Sequence, residues 1–291
     1  MPAKFIEIFQ TNRKYTASVD HGPRFPIGSR VTYQGMVGIT NDGAGSGVKY
    51  DPANYAAEGH WAPFILPTAV CESSAFMTNV NTYDSARFTF GFFQFAAHVP
   101  DGDFVRFFRR LLGLPSGPDY FPDLVVQGGR IFRETQSAPK QLESATSTTG
   151  LMDYLNPSSS GVEDIEVINA AKLIDGANQF SDQRTLQADE AINTAKQIMK
   201  VSGTRYALDG MIDTVCLVIM DIRHQGRAGS QAIISALSAG STEQTKLSNL
   251  LKIGAARFPE RIKTLKGEMQ KLTTAGTLGT KRYQLSTNSF A

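Results

Sequence analysis

The chain has 291 residues, enough for one large or two small domains with a buried core. Apolar residues make up 41% and charged residues 19%, an ordinary globular balance that excludes a wholly disordered chain. Twenty-nine Lys and Arg against 27 Asp and Glu leave a formal charge of +2, too small to make nucleic acid the expected partner.

Two cysteines, Cys71 and Cys216, are too few for a disulfide framework or a cysteine-based zinc site, and their apolar settings read as buried free thiols. No HExxH or close His/Asp set occurs, so neither a metal nor a cofactor is expected. The opening MPAKFIEIFQTNRKY holds no apolar core of signal-peptide length. No run approaches the roughly 18 apolar residues of a membrane span, so no membrane insertion is expected.

In chain order, residues 1–54 read as a loop and hairpin extension, with a short hairpin over RFPIGSRVTYQGMVGIT and a loop over NDGAGSGVKYDPANY. GAGSG lacks the Gly-Lys-Ser/Thr and the preceding strand of a phosphate loop. Residues 55–74 take a helical pattern, which Pro67 should start or kink. Residues 78–95 read as a hairpin or small sheet, and DGDFVRFFRRLLGLP as a short helix stopped by Gly-Leu-Pro. The stretch 113–161 is rich in turn residues and reads as loops. Beyond Val162 six helices are predicted, over 162–174, 185–200, 205–223, 228–237, 242–258 and 259–272. A helix-dominated α+β fold results, with a central domain over 55–240 and a basic helical extension over 241–291 packed on it.

Chemistry concentrates in VCESSAFMTNVNTYDSARFTFGFFQF. Glu72 ends an apolar helix with Val70, Cys71 and Phe76 as close neighbours, surroundings that disfavour the ionised form and suit a general acid. Asp84 lies among Asn81, Thr82, Tyr83 and Ser85, a polar turn in which a carboxylate stays ionised. Two carboxyl groups in opposite settings are what glycoside hydrolysis uses. A helix-end Glu is also an ordinary solvated residue, and an Asp in such a turn an ordinary turn former.

ESSAF, the Asp84 turn and Phe90-Gly91-Phe92-Phe93-Gln94 together resemble the active-site region of goose-type lysozymes and soluble lytic transglycosylases. There a catalytic Glu closes a helix, is followed by Ser, and a β-hairpin leads into an F-G-L-M-Q element. A second likeness is Ile219-Met220-Asp221-Ile222-Arg223-His224-Gln225-Gly226, similar to the family's A-Y-N-x-G element, in which a helix ends at a glycine beside the substrate. His224 stands where Asn is usual, and Ala96 where an acidic residue often follows. The likeness covers residues 55–110 and 205–240.

The resemblance implies a lysozyme-like fold and a muramidase that hydrolyses the β-1,4 bond of peptidoglycan. Glu72 would be the acid and Asp84 the base, with Asp101 in reserve. Two carboxyl groups roughly 6.5–9.5 Å apart would give inversion. Ser73, Tyr83, Gly91, Gln94, Tyr206, His224 and Gly226 are the expected substrate-binding residues. Gln94 reads equally well as satisfying backbone groups, Gly91 as a bulge, and most of Phe88, Phe90, Phe92, Phe93 and Phe95 as core. His98 reads as a helix-start residue.

Chitosanase or chitinase activity, lytic transglycosylation, and an inactive phage or secretion module are the alternatives. Without a signal peptide, such an enzyme would reach the cell wall as an endolysin released by a holin, or as an exported effector. An immunity protein or secretion carrier would then be a further partner. The nine Lys and Arg between Thr245 and Tyr283 read as a solvated helix face, or as a patch for an anionic wall polymer.

Overall fold

The structure, a computed structural model, describes residues 3–41 and 47–291. Residues 42–46, which carry most of the GAGSG stretch, lie outside the described residues. With 45% helix and 18% strand the fold is α+β and mainly helical, as the periodicities predict. Among the described residues no helix is long and apolar enough to cross a membrane.

The chain divides into two compact units, residues 1–50 with 73–190, and residues 51–72 with 191–291. These cuts fall elsewhere than the boundaries that composition draws at 54/55 and 240/241. Both units are assembled from distant stretches of chain, which a composition shift along the sequence does not register.

The first unit opens as an antiparallel meander of β1 (Ile6–Thr11), β2 (Lys14–Val19), β3 (Phe25–Tyr33) and β4 (Met36–Thr40). The β3–β4 hairpin is the predicted one. Its two-residue turn, Gln34-Gly35, has φ of 50° and 83°, the left-handed pair that matches strand twist. The β1–β2 hairpin turns on Asn12, φ 57°, and was hidden by the polarity of its strands, so residues 1–54 hold far more sheet than a loop extension would. Three two-residue strands continue the sheet in chain order: β5 (Val80–Asn81), β6 (Thr89–Phe90) and β7 (Phe95–Ala96).

Helix α5 (Asp164–Gln179) covers β1–β3, its start fixed by a capping box between Glu163 and Glu166. Phe88, Phe90, Phe92, Phe93 and Phe95 have no exposed surface. Phe90 and Phe95 lie 6.1 and 5.7 Å from Phe107 of α2 (Asp103–Leu112), centroid to centroid. Burying each such ring stabilises by about 1.5–3 kcal/mol, and all five are core.

The stretch 113–161 is more ordered than its turn residues suggest. It carries α3 (Gly117–Tyr120), a three-stranded sheet of β8 (Leu124–Gln127), β9 (Arg130–Arg133) and β10 (Lys140–Gln141), and α4 (Thr149–Leu155). Gly128 and Gly129, φ 55° and 73°, make the β8–β9 turn.

In the second unit a 3₁₀ segment, Pro52–Glu58, precedes α1 (Trp61–Ser73). Pro67 sits inside α1 and neither starts nor ends it, at the cost of one N–H bond. The long α6 (Ser181–Tyr206) is followed by α7 (Asp213–Gln225), α8 (Ser230–Ser238), α9 (Glu243–Leu250) and α10 (Pro259–Thr274). With α5 these are the six predicted helices. Their limits shift where Ala207 and Gly210, φ 52° and 73°, break the chain between α6 and α7. The C-terminal stretch is not wholly helical. Its hairpin, β11 (Tyr283–Gln284) and β12 (Ser289–Phe290), brings Phe290 within 5.0 Å of Trp61 and 4.7 Å of Phe64, so it belongs to this unit's core.

Candidate functional site

Glu72 is the penultimate residue of α1, as predicted, but its surroundings are not apolar. Val70 and Cys71 precede it on the helix and point to other sides. The carboxyl group meets charge: Arg261 Nη2 lies 2.6 Å from its Oε1, and His224 Nε2 lies 3.7 Å from the same atom. The Glu72 side chain keeps 17% exposure, and among the described residues its Oε2 accepts no hydrogen bond.

Arg261 enters from the first turn of α10, and its Nη2 also reaches Asp221 Oδ1 at 2.7 Å. Asp221, on α7, has no exposed surface. Its other oxygen takes Arg227 Nη1 at 2.6 Å, and the Thr68 hydroxyl donates to Oδ1 at 3.1 Å. Burial alone would raise the carboxyl's pKa. The charges of Arg261 and Arg227 outweigh it and hold Asp221 below the usual carboxylate range. Acidic and basic side chains thus alternate along a chain, Glu72–Arg261–Asp221–Arg227.

His224 reaches this chain because α7 stops two residues later. Gly226 has φ 70° and caps the helix in the left-handed region, the glycine-terminated helix end expected of the second element. Cys71, on the same helix as Glu72, has its thiol pushed up to about 12, first by burial and then by the Asp221 charge. Cys216 is buried on α7 and its thiol is raised further by burial.

Ser73, the residue after Glu72, is 2% exposed and donates from Oγ to the Phe92 carbonyl at 2.8 Å. It therefore fastens the F-G-F-F-Q element and is not on a surface. Ser74 and Ala75 follow at φ 53° and 64°, two successive left-handed residues without glycine. Each costs roughly 1–2 kcal/mol, strain of the kind that collects at functional sites.

Asp84 belongs to the first unit. Its Oδ1 accepts the Ala86 amide at 2.9 Å and its carbonyl the Arg87 amide at 2.9 Å, the polar turn foreseen. The turn is held from outside: Asn156 Nδ2 donates to the carbonyls of Thr82 at 3.2 Å and Arg87 at 2.9 Å. Thr82 also hydrogen-bonds Glu166, a fully buried carboxyl. Burial raises Glu166 to about 7 against the pull of the Thr82 hydroxyl and two backbone amides.

The remaining expected residues divide. Gln94 takes its backbone-satisfying role, donating to the Gly91 carbonyl at 3.0 Å and accepting from Asn81 at 2.6 Å. Gly91, φ 85°, is approached by a protein group, since a Cβ there would lie 2.6 Å from Gln187 Oε1. Tyr83 packs edge-on against Tyr33 at 5.9 Å. Tyr206 is 8% exposed with a buried hydroxyl, so it offers no ring face for a sugar.

Asp101 is committed to Arg109 and Arg130, whose hydrogen bonds lower its pKa and which also bind the buried Glu143. It serves a structural ion-pair network and makes a poor reserve base. His98 is an exposed turn residue ahead of α2. Among the described residues no cluster of metal-ligating side chains occurs.

Arg261, Asp221 and Arg227 were not singled out from sequence. Asp221 and Arg227 lie within the second element, and Arg261 within the basic stretch that reads as a solvated face or a patch for an anionic polymer. Comparison with protein-family models, curated proteins and solved structures finds no match.

Proposed function

We propose that the chain is a lysozyme-like glycoside hydrolase that cleaves the β-1,4 bond of an amino-sugar polysaccharide, with peptidoglycan as the leading substrate. The observation that carries this reading is the meeting of Glu72 with His224 at 3.7 Å. Two elements far apart in sequence, each resembling part of one active site, contribute their helix ends to the same spot.

Glu72 acts as the proton donor to the leaving oxygen. Arg261 and His224 engage Oε1, which leaves Oε2 as the oxygen open to a substrate. Proton transfer leaves a carboxylate, and the guanidinium 2.6 Å away stabilises that product of the step more than the neutral acid. Asp221 and Arg227 hold the guanidinium in place. Asp84, in the other unit, is assigned the part of base from its polar turn and its place after Glu72 in the sequence alone.

A chitosan-type polymer is the second reading. The unit that carries Asp84 has 15 Lys and Arg against 18 Asp and Glu, a formal −3, which favours a cationic glycan. Delivery as an endolysin or as an exported effector, with an immunity protein as the effector's partner, belongs to the same proposal.

The test measures clearing of purified cell walls and release of reducing ends from chitosan, wild type beside Glu72→Gln. Cleavage of either polymer that falls by roughly 10²–10⁴ in the variant is expected. No cleavage of either by folded wild type, or an undiminished variant, overturns the reading.

A further inference from the structure

The first unit contains a pocket of about 450 Å³ that none of the expected site residues lines. It is built from the β2–β3 connection, α3 and the end of α5, and its size suits one or two sugar rings. Asp175 lies within it, 8% exposed. Its Oδ2 accepts the Tyr120 hydroxyl, while among the described residues its Oδ1 accepts no hydrogen bond. Oδ1 is not one of the buried side-chain atoms left without a partner, so it keeps contact with the pocket's solvent and is open to a ligand's donor.

Arg24 stands at the exposed rim. Its guanidinium rests 3.4 Å above the Phe9 ring, and among the described residues no carboxylate pairs with it. Stacking leaves the guanidinium's in-plane N–H groups directed outward. Phe25 and Phe180 are half-buried walls, and Asn178 adds an amide able to donate and accept. A ligand that suits this lining brings a buried N–H for Asp175, an apolar face for the two Phe rings and oxygen acceptors for Arg24. An amino-sugar ring carries all three on one rigid frame.

We propose that this pocket is a second glycan-binding site, which takes an amino-sugar unit with its nitrogen on Asp175. It deepens the polysaccharide reading and rests on it, since the polymer that Glu72 cuts supplies the unit bound here. Two weak sites on one chain raise the occupancy of a long polymer beyond what either achieves alone.

The test uses the full chain carrying Glu72→Gln, so that bound sugar is not consumed. Backbone amide resonances are followed by NMR during titration with the N-acetylglucosamine trimer and, separately, the glucosamine trimer. Saturable shifts at Phe25, Asp175 and Phe180 are expected with at least one of them. Arg24→Ala and Phe180→Ala should each weaken that binding by about tenfold or more. Arg24 is exposed, so its variant keeps the fold if Phe180→Ala does not. Preference for the free amine assigns an ammonium to Asp175, and preference for the acetylated trimer an amide N–H; either supports the site. Absence of shifts at these residues with both trimers, or shifts indifferent to both variants, overturns it. Wild-type hydrolysis is assayed separately. Pocket binding without hydrolysis removes the catalytic reading alone, and hydrolysis without pocket binding removes the second site alone.

Discussion

Arg261 and Glu72 form a 2.6 Å ion pair between the start of α10 and the end of α1, so a residue of the basic C-terminal stretch completes the surroundings of the candidate acid. The same guanidinium nitrogen meets Asp221 at 2.7 Å, and the pair is therefore one link of a longer buried chain of charges.

That chain makes Asp221 costly to remove. Asp221→Ala leaves Arg227, whose side chain has no exposed surface, without its carboxylate, and should destabilise by about 3–5 kcal/mol in urea unfolding. The folded-state pKa of Asp221 is depressed, so its contribution is present above the unfolded value and lost as pH falls through the folded one. Wild type should lose stability steeply on the acid side of the carboxylate range, and Asp221→Asn should flatten that limb. An Asp221→Ala midpoint equal to wild type contradicts the network's structural role.

Glu166 has the opposite sign. Its pKa rises from 4.5 to about 7 on folding, so the stability it contributes is complete below 4.5 and is lost as pH rises through 7. The span corresponds to something on the order of 3 kcal/mol. Glu166→Gln should abolish most of the decline in urea midpoint between about pH 5 and about pH 8. The same decline in the variant would assign the effect to another group.

Gly91→Ala meets two obstacles, a φ of 85° and Gln187 Oε1 at 2.6 Å from the new Cβ. The left-handed backbone alone costs roughly 1–2 kcal/mol. Pairing it with Gln187→Ala should recover the contact part but not the backbone part. Full recovery in the double-mutant cycle would show that Gly91 is required only for space.

Asp84→Asn should slow hydrolysis by about a hundredfold, and NMR of the first products should show inversion at the anomeric carbon. Asp101→Asn should lower stability and spare the rate, because Asp101 is spent on Arg109 and Arg130. The reverse pattern moves the base to Asp101. Tolerance of both, with anhydro-sugar ends in the products, makes the reaction a transglycosylation.

The sequence was informative where short-range pattern and packing agree. The β3–β4 hairpin, α2, the six later helices and the Phe88–Phe95 core are all legible from periodicity and turn residues. The Gly226 cap was legible too, since few other residues end a helix at φ 70°. Val70 and Cys71 do not predict what the Glu72 carboxyl faces, because successive helix residues point about 100° apart. Arg261 carries no local sign of burial. Lys263, two residues on, is 80% exposed, and only the meeting of α10 with α1 and α7 separates the two. Tyr206, expected to meet substrate, is packed inward by the end of α6, a contact that a lone aromatic hydroxyl residue does not announce.

Cys216 is buried and Cys71 only half-buried, and desolvation of both thiols bears on the protein's behaviour toward alkylating reagents. Desolvation raises both thiols and so lowers the share of thiolate that a maleimide attacks. A cysteine introduced on the exposed face of α10 would therefore react ahead of the native pair. A fluorophore or spin label placed there reports on α10, the helix that delivers Arg261 to Glu72, without any native residue being replaced near the carboxyl group.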